Sequence, residues 1–132
     1  MPVAEASRLR AMLARHPRIE LAILFGSVAQ GRARADSDLD LAVSSADGPL
    51  SEHARTSLIA ELAETFGRPV DLVDLRVVGE PLLGQILAHG VRLLGDDDAH
   101  ARLLSRHWLD EADFMPYRRR ILAERRQAWI GT

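Results

Sequence analysis

The chain has 132 residues, of which 47% are hydrophobic and 27% charged, with a formal net charge of −2. This length suits one domain with its own core. Cysteine is absent, which excludes disulfides, thiolate nucleophiles and Cys-ligated zinc. Lysine is also absent, so that all 17 residues of the Lys and Arg group are arginine. A Walker A lysine and a Schiff-base lysine are therefore excluded as well.

Charge is unevenly distributed along the chain. Residues 1–98 have a net charge of −5, and residues 99–132 a net charge of +3. Because the larger part would repel backbone phosphates, we do not expect direct binding of nucleic acid. No apolar run approaches the ~20 residues that span a bilayer, and the N-terminus lacks a signal-peptide pattern. These features predict a cytoplasmic protein with no membrane contact.

Hydrophobic periodicity and turn residues divide the chain into alternating helices and strands. In chain order, the patterns predict a helix at 3–15, a strand at 19–25, a short helical turn before Gly31, a strand at 38–44, a helix at 51–66, a strand at 70–75, a helix at 81–90, a strand at 91–94, and helices at 96–112 and 117–129. This order predicts an α+β fold with a mixed sheet and helices mainly on one face. Residues 1–98 would form the main body, and 99–132 a C-terminal helical extension of the same domain.

Two polar features flank the loop between the first two predicted strands. Gly26-Ser27 follows the first strand, where backbone N–H groups and a hydroxyl can face an anion. In the second strand, Leu39 and its alternate neighbours face one side, and Asp38 and Asp40 share the other, about 7 Å apart. Paired carboxylates repel each other unless a cation lies between them, and oxygen ligands suit Mg²⁺. A phosphate-binding turn beside a Mg²⁺ site is typical of nucleotidyl transfer.

These motifs resemble those of the minimal nucleotidyltransferase (MNT) branch of the DNA polymerase beta superfamily, over roughly residues 19–95. The matching positions are Gly26, Ser27, Gly31, Ser37, Asp38 and Asp40. The resemblance implies the polymerase beta-like nucleotidyltransferase fold. It also implies that the Gly-Ser turn holds a nucleoside triphosphate, that the Asp pair holds Mg²⁺, and that a carboxylate on a neighbouring strand completes the site.

Asp71 is the candidate for that third carboxylate. In the predicted strand at 70–75, Val70 and Leu72 share one face and Asp71 lies on the other. If the two apolar residues join the core, Asp71 projects to the face that carries the Asp pair. An Asp in a short strand can equally be a plain surface acid. Asp74 would then point toward the core or lie in the following turn.

Three further residues are candidates for contact with the nucleotide. Arg32 and Arg34, in the loop after the turn, could neutralise phosphate charge, although loop arginines are commonly just solvated. Ser37 could contact a phosphate or orient the strand that holds the metal. Ser27 also has a structural interpretation, as the N-cap of the short helical turn.

The resemblance further implies a reaction and a partner. Many stand-alone members of this size are antitoxins paired with a HEPN-domain toxin, and some transfer AMP from ATP to a tyrosine of that toxin. We therefore expect ATP as substrate, two Mg²⁺ ions, and a HEPN toxin as partner. The positive charge of residues 99–132 makes the Arg118-Arg119-Arg120 segment a candidate for docking that partner. Two alternatives stay open: a non-catalytic antitoxin that acts by binding alone, and a nucleotidyltransferase for a small molecule of the aminoglycoside type.

Overall fold

The computed structural model describes residues 3–31 and 37–110. Arg32 and Arg34, the last predicted helix and the Arg118-Arg119-Arg120 segment lie outside the described residues. Within the described ranges, no helix has both the length and the apolar content needed to cross a bilayer.

Within residues 3–31 and 37–110, nine elements follow the predicted order. The helices are α1 (Val3–Ala14), α2 (Gly26–Ala29), α3 (Glu52–Phe66), α4 (Leu82–His89) and α5, which occupies residues 97–110. The strands are β1 (Ile19–Phe25), β2 (Leu39–Ser45), β3 (Val70–Asp74) and β4 (Val91–Leu94). Strand β2 begins one residue later than predicted, so Asp38 lies immediately before it.

Local capping chemistry sets the helix ends. The Ser51 hydroxyl accepts a hydrogen bond from the Ala54 N–H at 3.0 Å, which satisfies a free donor at the start of α3. Gly67 ends this helix in the left-handed region, at φ 62°. The Asp96 carboxylate caps α5 by accepting from the Ala99 N–H at 2.8 Å. These three caps confirm helix boundaries that the sequence predicts.

The four strands form one mixed sheet in the order β3-β2-β1-β4. Strand β1 is antiparallel to both β2 and β4, and β2 is parallel to β3. In this register, Phe25 at the end of β1 lies opposite Asp40, and Asp40 lies opposite Asp71 on its other side. The end of β1 and the starts of β2 and β3 therefore meet at the same end of the sheet.

Apolar residues cover both faces of the sheet. One face packs against α1 and α3 in a cluster that includes Leu13, Leu41 and Leu62. The other packs against α4 and α5 in a cluster that includes Ile23 and Leu83. The α+β class and the mixed sheet are confirmed. The sequence prediction placed helices mainly on one face and did not include the second layer, which α4 and α5 form.

Candidate functional site

Three carboxylates converge where β2 and β3 begin. The neighbours of Asp40 in β2, Leu39 and Leu41, are fully buried in the core beneath α1 and α3, so Asp40 faces the opposite side. Its partner in the parallel ladder is Asp71, and adjacent strands lie about 4.8 Å apart. Asp38 precedes Asp40 by two residues and shares its side.

The apolar residues of β3 determine where Asp71 points. Leu72 is buried, and Val70 packs against the same core cluster. With Val70 and Leu72 in the core, alternation along β3 turns Asp71 to the face that carries Asp40. Asp71 itself is exposed. Strand register and core packing thus bring all three predicted carboxylates together.

The surroundings of Asp40 shift the pKa of its carboxyl. Burial raises the pKa of the Asp40 carboxyl above its ordinary value, and the nearby carboxylates of Asp71 and Asp38 raise it further. Each added negative charge disfavours ionisation of Asp40. The protein thus holds like charges together at this end of the sheet, where a bound cation would relieve their repulsion.

Gly26 brings the turn after β1 against this carboxylate. Its φ is +73°, in the left-handed region that glycine adopts most readily. A Cβ at this position would lie 2.9 Å from Asp40 Cγ, closer than real side chains approach. Only glycine therefore allows the turn to lie so close. The next residue, Ser27, is half-buried and lies in the first turn of α2, whose N-cap is Phe25 rather than Ser27.

The donor set suits a hard divalent cation that is completed by a substrate. Across residues 3–31 and 37–110, no three His, Cys, Asp or Glu side chains are arranged to hold a metal ion by themselves. Mg²⁺ does not need one, because proteins commonly hold it by one or two carboxylates together with waters and substrate phosphates. Three clustered carboxylates with a raised pKa at Asp40 fit that mode of binding.

The other candidate residues have varied positions. Ser37 is half-buried and adjacent to Asp38, while Arg32 and Arg34 lie outside the described residues. Asp74, for which two positions were open, is buried and accepts hydrogen bonds from the backbone N–H groups of Leu50 at 2.8 Å and Arg76 at 2.9 Å. Asp74 thus fastens the far end of β3 and does not join the site.

Cavity size alone would not have located this site. A cavity of about 490 Å³ lies at the opposite end of the sheet, lined by residues that include Arg18, Asp47 and Ser51. Another, of about 560 Å³, lies on the surface of α5. Neither lining includes Asp38, Asp40 or Asp71. The clustered carboxylates and the strand register therefore identify the candidate site, and the volume of a cavity does not.

Comparison with known proteins gives concordant matches. A curated relative, Protein adenylyltransferase MntA of Shewanella oneidensis, is 41% identical over 88 residues, which are 64% of this chain. The match spans 63% of the length of that relative, slightly less than two thirds.

Two solved structures extend the similarity over most of the fold. One is a chain from a toxin–antitoxin complex with AMP-PNP, with a TM-score of 0.77 and 30% identity, covering 90% of this chain and 96% of that one. The other comes from a tri-AMPylated Shewanella oneidensis HEPN toxin in complex with MNT antitoxin. Its TM-score is 0.74 and its identity 27%, with 94% and 98% of the two chains covered.

The family assignment follows from a match to most of the chain. The profile described as "Polymerase beta, Nucleotidyltransferase" matches residues 7–99, a range that contains the Gly-Ser turn and all three carboxylates. The sequence resemblance and the fold prediction are thereby confirmed. This chain belongs to the polymerase beta nucleotidyltransferase family.

Proposed function

We propose that this protein is a Mg²⁺-dependent nucleotidyltransferase that acts as an antitoxin, transferring AMP from ATP to a tyrosine hydroxyl of a partner HEPN toxin. One observation carries the proposal. Asp38, Asp40 and Asp71 share one end of the sheet, and the carboxylate of Asp40 lies directly beside Gly26. Catalysts of phosphoryl and nucleotidyl transfer act mainly by positioning and by neutralising charge, and this arrangement supplies groups for both tasks.

Each part of the site has a proposed role. Gly26 and Ser27 would bind the β- and γ-phosphates through backbone N–H groups and the hydroxyl, with Ser37 and Arg32 as further phosphate contacts. Asp38, Asp40 and Asp71 would hold Mg²⁺, which neutralises charge on the phosphates and on the leaving group. Because Asp40 is half-buried, water would screen the attraction between its carboxylate and the cation less than at a fully exposed site.

The proposed reaction is a direct, in-line displacement. The acceptor hydroxyl attacks the α-phosphorus of ATP, the bond between that phosphorus and the α–β bridging oxygen breaks, and pyrophosphate leaves. Asp71, an exposed carboxylate on the strand next to Asp40, accepts the hydroxyl proton. Because the chain has neither cysteine nor lysine, two common protein nucleophiles are excluded, which favours transfer without a covalent intermediate.

The relatives support the choice of nucleotide, reaction and partner. The name Protein adenylyltransferase belongs to a chain with 41% identity. One similar structure contains AMP-PNP, and another a tri-AMPylated HEPN toxin. An ATP-derived AMP group and a HEPN partner are therefore the first choices for this chain.

A labelling experiment tests the proposal. The purified protein, a HEPN toxin and ATP labelled at the α-phosphate should yield a labelled toxin only when Mg²⁺ is present. The double variant Asp38→Ala/Asp40→Ala should lose labelling by at least about a hundredfold, since it removes charge stabilisation worth several kcal/mol. Asp47→Ala, which removes an exposed acid just beyond the other end of β2, is the matched control. Labelling by the double variant at a near wild-type rate would refute the metal assignment.

A non-catalytic antitoxin makes a different prediction in the same experiment. Such a protein would neutralise the toxin without labelling it, and the Asp38→Ala/Asp40→Ala variant would neutralise it equally well. The cluster of repelling carboxylates favours the enzyme, because a protein that acts by binding alone gains nothing from the raised pKa of Asp40.

A further inference from the structure

Asp71 lies on the least supported strand of the site. Strand β3 has five residues, lies at an edge of the sheet, and pairs with β2 alone among the strands of the described residues. Two backbone hydrogen bonds hold the ends of this pairing. The Leu39 N–H donates to the Pro69 carbonyl and the Leu75 N–H donates to the Val43 carbonyl, both at 2.8 Å. The distance between Asp71 and Asp40 therefore depends on how firmly the free edge of β3 is held.

An arginine on α3 holds that free edge. Since residues 69 and 75 direct their backbone groups toward β2, alternation along the strand turns the carbonyl of Leu72 away from β2. The half-buried Arg55 donates a hydrogen bond from Nη2 to this carbonyl. A charged donor makes a stronger hydrogen bond than a neutral one, and the accepting carbonyl belongs to the residue after Asp71.

We propose that Arg55 is a positioning residue for Asp71: by fastening the outer edge of β3, it holds the third carboxylate within reach of a cation bound at Asp40. This inference rests on the proposed function. Asp74 already fastens the far end of the strand through Leu50 and Arg76. Arg55 supplies a second polar attachment, on the part of β3 that carries the carboxylate.

The opposite edge of the sheet offers a matched control. Arg10 of α1 donates from Nε to the carbonyl of Leu93 in β4 at 2.8 Å. Both arginines lie on helices and bond a backbone carbonyl of an edge strand. Strand β4 carries none of the three carboxylates, so loss of the Arg10 bond should weaken the fold without changing the site.

The test compares Arg55→Ala, Arg55→Lys and Arg10→Ala. Calorimetry measures binding of Mg²⁺ with a non-hydrolysable ATP analogue, and hydrogen exchange measures opening of residues 70–74. Arg55→Ala should raise the Mg²⁺ concentration for half-maximal binding by roughly tenfold, the scale known for residues that support metal ligands. It should also speed exchange in β3, and Arg55→Lys should restore part of the affinity. Arg10→Ala should leave both quantities unchanged, even if it lowers the melting temperature.

The outcomes separate this inference from the proposed function. Neither readout uses the toxin or requires turnover, so failure of the wild type to label a toxin would affect only the proposed function. Unaltered Mg²⁺ dependence in Arg55→Ala, or an equal loss in Arg10→Ala, would overturn the positioning role. Unchanged exchange of residues 70–74 in Arg55→Ala would overturn it as well.

Discussion

Asp40 is a carboxylate whose pKa is shifted by its surroundings. It lies between β1 and β3, opposite Phe25 on one side and Asp71 on the other, with Gly26 against its carboxylate. Burial and two acidic neighbours raise its pKa. The same features that make it costly to ionise in the metal-free protein make it a favourable ligand for a cation.

Asp40→Asn should stabilise the metal-free protein at neutral pH. Because its folded-state pKa is raised above the ordinary 3.8, folded protein retains a proton that the unfolded chain has released, and stability falls as pH rises through the folded pKa. The neutral amide removes this loss, so its advantage should be present at pH 7 and vanish below about pH 3.8. Urea unfolding in chelator at several pH values measures it.

The control for this prediction is Asp47→Asn, in an exposed ion pair with Arg18. Exposed pairs contribute about 0–1 kcal/mol, so this variant should be neutral or slightly destabilised at pH 7. A loss of stability in Asp40→Asn at neutral pH, in chelator, would contradict the direction of the pKa shift.

Gly26→Ala should disturb both stability and activity. Its backbone is in the left-handed region and its added Cβ would collide with Asp40. Gly67→Ala has a similar φ of +62° but open space around the Cβ, so it should lose only about 1–2 kcal/mol of unfolding free energy. We expect Gly26→Ala to lose more and to lose AMP transfer. Equal losses of stability in the two variants would show that the collision with Asp40 does not change the free energy of unfolding.

Sequence patterns predicted the carboxylates and could not predict Arg55. Alternation in β2 and β3 assigns each side chain to a face, which places Asp38, Asp40 and Asp71 on the same side as soon as the strands are adjacent. An arginine in the first half of an amphipathic helix has no such signature. Its hydrogen bond to the Leu72 carbonyl depends on how α3 packs against β3. The periodicity of the sequence does not predict that packing.

Among the elements, the starts of β1, β3 and β4 were predicted to the residue, and those of α3 and β2 to within one residue. Ser51 and Gly67 bound α3 as the sequence indicates, because capping is local chemistry. Strand β2 begins at Leu39 rather than Asp38, since the ladder to β3 begins there. The order of strands across the sheet, and the second helical layer of α4 and α5, follow from long-range packing.

Ser51→Ala should separate the stability of α3 from the chemistry of the site. The variant removes the acceptor for the Ala54 N–H and should cost about 1 kcal/mol of unfolding free energy. Because Ser51 lies at the opposite end of the sheet from the carboxylates, labelling of the toxin should be unchanged below the melting temperature. A fall in labelling that matches the loss in Asp38→Ala/Asp40→Ala would mean that the two ends of the sheet are coupled.

At the scale of the whole molecule, the three carboxylates lie at one end of the sheet, outside the two apolar clusters that form the core. The carboxylates and the Gly26 turn share that end, while two apolar clusters cover the faces. The proposed Mg²⁺ site is complete only when phosphate oxygens join the carboxylates. Metal and nucleotide should therefore bind cooperatively.

This cooperativity predicts a thermal shift. Mg²⁺ and ATP together should raise the melting temperature by more than the sum of their separate effects, because each ligand completes the site of the other. Asp40→Asn should abolish the excess, and Asp47→Asn should retain it. Additive shifts in the wild type would favour the alternative of a non-catalytic antitoxin.

Intact-mass spectrometry of the HEPN partner tests the central claim most directly. After incubation with wild-type protein, ATP and Mg²⁺, the partner should gain mass in whole AMP units, and Asp71→Asn should slow this gain by at least about a hundredfold. Asp47→Asn should match the wild type. A partner that is neutralised at unchanged mass, or modified equally fast by Asp71→Asn, would contradict catalysis by the three carboxylates.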